Sequence, residues 1–219
     1  MASSSNPVRS RKRPEERREE ILSAAASIAL DEGLERITLR AVADRLGVRP
    51  GLITHYFPAV EDLVVEAFAR AAEREREQFF PAGGTPMQRL RHFIDYLDAG
   101  ASMPLARLWL NARHLSRFSS PLEAMLEQQD DLDQARLIAL IEEGVRGGDF
   151  ADVDAAGASI RIFLAIDGGG SYVNSRTAHR NPVHRHFAAD VAEWTLGLAR
   201  GTLRPRALDA DPAARSARS

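Results

Sequence analysis

Residues 38–57, TLRAVADRLGVRPGLITHYF, confine this part of the chain to one motif, two short amphipathic helices joined by a tight turn. Thr38 supplies an N-cap hydroxyl, and Leu39, Val42, Ala43 and Leu46 follow at i, i+3, i+4 and i+7, one buried stripe. Gly47 stops the helix, because glycine enters the left-handed region without a Cβ penalty. Val48 and Arg49 make the turn. Pro50 then opens the second helix, where its preset φ helps and its missing amide costs nothing. That helix, Pro50 to Tyr56, is too short to stand alone and must be held by its neighbour. The pattern places Ile53 and Phe57 in the core and leaves Arg49, Gly51, Thr54 and His55 outside. Small and polar side chains on a short, supported helix suit entry into a DNA major groove.

The flanking sequence completes a three-helix head over residues 14–58. Pro14, Glu15 and Glu16 start a helix with carboxylates at the positive end of its dipole; Ile21, Ala25, Ile28 and Ala29 form its buried face, and Gly33 ends it. A head of this size is marginal alone, so it needs a second body. Residues 1–13 are rich in Ser and Arg without periodicity and are expected to be a disordered basic arm, with Arg9, Arg11 and Arg13 able to reach a minor groove.

The remainder, residues 59–201, reads as a helical body. A long helix from Ala59 to Phe80 buries Leu63, Val64, Ala67, Phe68 and Ala71, and its charged run EREREQ (73–78) is expected to be solvated, connecting the two bodies. The segment 81–86, PAGGTP, is a linker by composition. Further helical faces are Leu90-Phe93-Ile94-Leu97, then Leu105-Leu108-Trp109, then a longer one from Leu122 through Leu132 and Leu137 to Ile141 that stops at Gly144. An Ala-rich helix should run from Ala155 to Ser175, and a last one carries Phe187, Val191, Trp194 and Leu198, ending near residue 201. No strand pattern competes, so the fold class is all-α. Residues 202–219 read as a disordered tail.

Thr38, Val42-Ala43, Gly47-Val48, Gly51, His55-Tyr56-Phe57-Pro58 and Glu61-Asp62-Leu63 resemble the DNA-binding signature of TetR-family transcriptional regulators, over about residues 15 to 66. GLITHYF, with Thr54 where the commoner form has Tyr, is most similar to the subgroup of choline and glycine betaine regulators, as is the Asp167-Gly168 pair. One position departs: the family usually places Lys three residues after the Phe, where this chain has Val60. The resemblance implies a homodimer built on the last two long helices, a double-stranded DNA operator of pseudo-palindromic sequence, and a small-molecule effector that releases DNA.

On the DNA side, Thr38 is expected to offer its hydroxyl and amide to phosphate, with Arg40 on the same helix reaching phosphate or a base edge. Arg49, Thr54 and His55 are the expected base readers; Tyr56 faces phosphate, and Pro50 and Gly51 permit close backbone approach. For the effector, the polar and aromatic candidates among apolar neighbours are Trp109, Asn111, His114, Phe118, Phe163, Asp167 and Tyr172. Arg107, Arg113 and Arg161 are expected to meet an anionic effector if they face inward.

Charge agrees with this division. Through Pro58 there are ten basic residues against eight acidic, whereas the whole chain carries 29 and 31, so the head is the positive part. Lys12 is the only lysine, leaving phosphate contacts to arginine.

Other functions find little support. With no cysteine, disulfides and thiolate chemistry are excluded, which fits a cytoplasmic protein, and no apolar run is long enough for a membrane. His179, His184 and His186 lie among Arg176, Arg180 and Arg185 without an interleaved carboxylate, which opposes metal binding. Gly168 to Gly170 lack the following Gly-Lys-Ser/Thr of a phosphate loop; close helix approach or a break lining a cavity explains them better. No catalytic constellation, metal site or cofactor is expected. The rival reading is a helical small-molecule-binding or scaffold protein without DNA binding, which the salt dependence of promoter binding would separate.

Overall fold

The computed structural model describes residues 12–98, 102–175, 177 and 181–204. Among these, all regular structure is helical: α1 (Pro14–Glu32), α2 (Leu39–Leu46), α3 (Pro50–Tyr56), α4 (Val60–Phe79), α5 (Pro86–Asp98), α6 (Met103–Leu115), α7 (Ser120–Gly147), α8 (Ala155–Gly170) and α9 (Pro182–Thr195). Short 3-10 turns at Leu34–Arg36 and Ser116–Phe118 precede α2 and follow α6. The expected arm (1–13) lies almost wholly outside the described residues, as do His179, Arg176 and Arg180 of the basic loop.

Local chemistry sets the head. The Arg13 amide donates to the Glu16 carboxylate at 3.2 Å, closing the start of α1. Thr38 Oγ1 accepts the Ala41 amide at 3.0 Å, and Gly47 caps α2 at φ +64°. Ile21, Ile28, Val42, Ala43, Ile53 and Phe57 close the core between the three helices. Arg45 holds α2 to α1 through Ser27 (2.8 Å) and Glu32 (2.7 Å).

α4 joins the head to the body. Arg18 of α1 donates to both oxygens of Glu66 at 2.6 Å while its guanidinium lies 4.8 Å from the Phe57 ring centroid, so one side chain ties α1, the end of α3 and α4 together. The run EREREQ is not solvated all round. Arg76 is only 8% exposed, its Nε donating to Asp133 at 2.5 Å and its Nη2 to Gln129 Oε1 at 2.7 Å; Glu75 accepts from the Tyr96 hydroxyl. The unbroken charge that made this run look like a surface hid two polar residues of α7 that meet it.

Other boundaries also move. α7 continues through Gly144 to Gly147 and is capped by Gly148 at φ +76°. Gly144 serves packing instead, since a Cβ there would lie 2.2 Å from Phe150 ring atoms. Leu132, expected inside, is 43% exposed. α8 ends at Gly170 rather than Ser175, with turns following, and α9 ends at Thr195. The expected tail begins too early: Leu203 is buried, and Glu193, itself buried, accepts the amides of Gly201 (2.7 Å) and Leu203 (2.6 Å). A carboxylate saturated by backbone donors in the core pins this segment to α9.

Candidate nucleic-acid interface and effector cavity

The face of the head formed by α2 and α3 carries the first candidate site. Arg40, Arg49, Pro50, Gly51, Thr54 and His55 are exposed along it, with Thr38 exposed at the start of α2 and Tyr56 half-buried at the end of α3. Ile53 and Phe57, buried beneath, fix the orientation of α3. The Thr38 oxygen accepts within the cap, which leaves its hydroxyl hydrogen free to donate outward. Arg40 is held only by Asp44 at 3.7 Å in an exposed i,i+4 pair, an interaction that a phosphate displaces at little cost. The Thr54 hydroxyl donates to the Pro50 carbonyl at 3.3 Å, and the His55 and Tyr56 rings stand edge to face at 5.2 Å. No backbone hydrogen of Gly51 is crowded, since a Cβ there would meet nothing within 4 Å. Seven of the eight residues expected on the DNA side are therefore exposed on α2, α3 and the turn between them, and Tyr56 is half-buried.

The second site is an open cavity of about 620 Å³ lined by the end of α4, by α5 and by α6 to α9. Its volume is that of a pocket for a drug-sized molecule. Phe79, Phe93, Trp109 and Phe163 supply an aromatic wall, and Gly169 and Gly170 line it at the end of α8, with Gly170 open to Ala106 of α6.

Of the residues expected at the effector, Trp109, Phe163 and Asp167 line the cavity; the other four do not. Asn111 faces the head, where its Oδ1 accepts the Leu34 amide at 2.8 Å. His114 and Phe118 pair edge to face at 6.0 Å on the outside, with Phe118 74% exposed. Tyr172 lies outward against His184 at 5.0 Å. For Asn111 the reason is helical phase, since it falls on the face of α6 away from Trp109 and Arg113.

One end of the cavity is polar. Arg113 reaches in from α6, as the inward-facing condition required, but it already pairs with two carboxylates: Asp130 of α7 at 3.2 Å and Asp167 of α8 at 2.9 Å. Arg107 and Arg161 are exposed and do not line the cavity. The expected capture of an anion by these arginines is thus not supported by their placement. Asp133, also lining the cavity, pairs with Arg76 behind it. Burial pushes the Asp133 carboxyl up to about 6 against the opposing pull of Arg76, and burial likewise raises Asp130 and Asp167 against that of Arg113.

Asp130 and Asp133 were not singled out from the sequence, yet a signal was there. Leu126, Asp130, Asp133 and Leu137 fall at i, i+4, i+7 and i+11, so carboxylates stand where the apolar stripe of α7 should continue.

Comparison with known proteins agrees with this geometry. Residues 21–67 match the family described as bacterial regulatory proteins, tetR family. The HTH-type transcriptional repressor KstR of Mycolicibacterium smegmatis is 41% identical over 86 residues, which are 38% of this chain and 42% of that protein. The match therefore spans less than half the length of this relative. KstR2 of the same organism is 25% identical over 155 residues, 68% of this chain and 76% of the relative. The crystal structure of a TetR transcription regulator from Haloarcula marismortui superposes with a TM-score of 0.69 at 21% identity, covering 83% of this chain and 99% of that one. Among the described residues, no helix is long and apolar enough to cross a membrane.

Proposed function

We propose that the chain is a TetR-like repressor that acts by operator occupancy and is relieved when a small molecule enters the body; the match of residues 21–67 to the tetR family and the likeness of the fold to a solved TetR regulator support this. The observation that carries this reading is the α2–α3 face, where exposed Arg49, Thr54 and His55 stand on a helix locked by buried Ile53 and Phe57. Arg49 and His55 read base edges, with Thr54 beside them; Thr38, Arg40 and Tyr56 hold phosphate, and Pro50 and Gly51 bring backbone close. The KstR relatives, named repressors, support the sign of the regulation. GLITHYF and Asp167-Gly168 support a place near the choline and glycine betaine regulators.

The protein acts as a homodimer. Ile160 and Leu164 of α8 and Val183, Phe187 and Trp194 of α9 form an exposed apolar face, with Leu164 66% and Trp194 75% exposed in the single chain. A face of this kind supports association, and two copies of the α8–α9 pair make a four-helix interface. Such a dimer sets its recognition helices about 34–36 Å apart, one turn of DNA, and reads a pseudo-palindrome. Its place of action is the cytoplasm.

The test is selection of fragments from the protein's own genome, followed by salt titration of the selected site. A repressor binds a specific site and loses affinity steeply with salt, as each phosphate contact releases counterions. No DNA binding at low salt by a folded dimer would leave the rival reading, a helical binding or scaffold protein.

A further inference from the structure

At one end of the cavity a single arginine meets two carboxylates. Arg76 and Asp133 form one neutral pair, closed further by Gln129. Arg113 bridges two carboxylates, Asp130 and Asp167, and its guanidinium also rests 5.4 Å from the Trp109 ring centroid. His184 and Arg185 of α9 also line the cavity, so the imbalance is local to the cluster of Arg113 with Asp130 and Asp167.

An anion entering at this cluster would meet two carboxylates and an arginine already paired with both. A neutral molecule would gain only the aromatic wall. A cation gains both the carboxylates and the ring face that Arg113 now occupies, since aromatic faces attract cations. The cavity, at about 620 Å³, is also far larger than a small ammonium head group fills, so an apolar body must accompany the charge.

We propose that the effector is an amphipathic molecule with an apolar body and one cationic nitrogen, which takes the place of the Arg113 guanidinium at Asp130 and Asp167. This rests on the reading of the chain as a ligand-released repressor. It also names the event that transmits binding. Arg113 links α6 to α7 and α8, so its displacement unties α6 at the cavity, and α6 is the helix whose Asn111 holds the Leu34 amide of the head.

The experiment compares three fluorescent probes of one body, pyrenemethylammonium, pyrenemethanol and pyreneacetate, by anisotropy on the full chain. The ammonium is expected to bind at least about tenfold more tightly than the other two, the equivalent of about 1.4 kcal/mol. Asp167→Asn and Asp130→Asn should each reduce that preference to under about threefold while leaving pyrenemethanol binding unchanged. Arg113→Gln, which removes the competitor, should tighten ammonium binding further. Equal or tighter binding of the alcohol or the acetate overturns the proposal, as does equal weakening of ammonium and alcohol in the Asp variants. Binding of none of the three also overturns it, along with the cavity's role as effector site. Operator binding measured without any probe is independent of these outcomes, so its loss marks failure of the repressor reading instead.

Discussion

The side-chain carbonyl of Asn111 accepts the backbone N–H of Leu34 at 2.8 Å, so α6, which lines the cavity with Trp109 and Arg113, also touches the head directly. Leu34 is buried, so its amide has no water to fall back on. A shift of α6 along or about its axis must therefore either break this bond or carry the start of the head with it. That makes one hydrogen bond a point where the two sites meet, and it can be probed.

Asn111→Leu should lower unfolding free energy by about 1–3 kcal/mol, the cost of an unsatisfied buried amide, and should weaken the effect of a cavity ligand on operator affinity. Asn111→Asp keeps the acceptor and should retain the coupling. Operator titrations with and without ligand, beside chemical denaturation, check both. Loss of stability with unchanged coupling would assign Asn111 a purely structural role.

Arg49→Ala and His55→Ala should abolish preference for operator over random DNA, each costing about 1–3 kcal/mol of discrimination, with the melting temperature nearly unchanged because both side chains are exposed. Arg45→Ala is the contrasting control: its partners lie on α1, so it should reduce head stability instead. Competition binding and thermal melts distinguish the two patterns.

Val60→Lys at the first residue of α4 should raise affinity for all DNA alike and steepen the logarithmic salt slope by about 0.9 per half-site. Affinity that rises for operator alone would indicate a base contact rather than a phosphate one. Salt titrations on operator and random duplexes supply the comparison.

Leu164→Glu or Trp194→Glu places a charge on the exposed apolar face of α8 and α9. Dimer dissociation should increase by more than about a hundredfold, since central apolar anchors carry most of an interface's energy. Sedimentation of the variants, alongside their helical content, provides the measurement; a variant that stays dimeric at micromolar concentration would move the interface elsewhere.

Arg76→Met alone should cost about 3–5 kcal/mol because it leaves Asp133 buried without its cation, whereas Arg76→Met with Asp133→Leu should recover most of the loss. The pair also has a pH signature. The folded carboxyl of Asp133 lies at about 6, above its ordinary 3.8, so between those values the native state holds a proton that the unfolded chain releases. Its contribution to stability is therefore greatest below about pH 4 and falls as pH rises to about 6. Unfolding free energies of the wild type should decline relative to Asp133→Asn across that window and run parallel above it.

The motif in residues 38–57 was legible almost residue by residue, and the reason is local. Thr38, Gly47 and Pro50 act within their own turns, through a cap hydrogen bond, a left-handed φ and a preset φ, and none needs a distant partner. Periodicity likewise revealed which residues face the core in α1, α4 and α5. It failed where polar groups sit on a buried face: EREREQ looked solvated because the pairing of Arg76 with Asp133 spans 57 residues of sequence. Gly144 looked like a stop because glycine so often ends a helix, whereas the Phe150 ring that requires it arrives from beyond the helix end.

The cavity divides in the same way. That Trp109, Phe163 and Asp167 would stand out among apolar neighbours follows from composition, but that they converge while Asn111, His114, Phe118 and Tyr172 diverge depends on helix phase and crossing. Arg113 is the clearest case. By itself the sequence determined an all-helical chain with a helix-turn-helix head, because caps, turns and apolar stripes are encoded within a few residues. Only the tertiary structure decided that this arginine is matched by Asp130 and Asp167, and so what charge the cavity offers a ligand, because electrostatic balance in a pocket is a sum over side chains from four helices that no local pattern brings together.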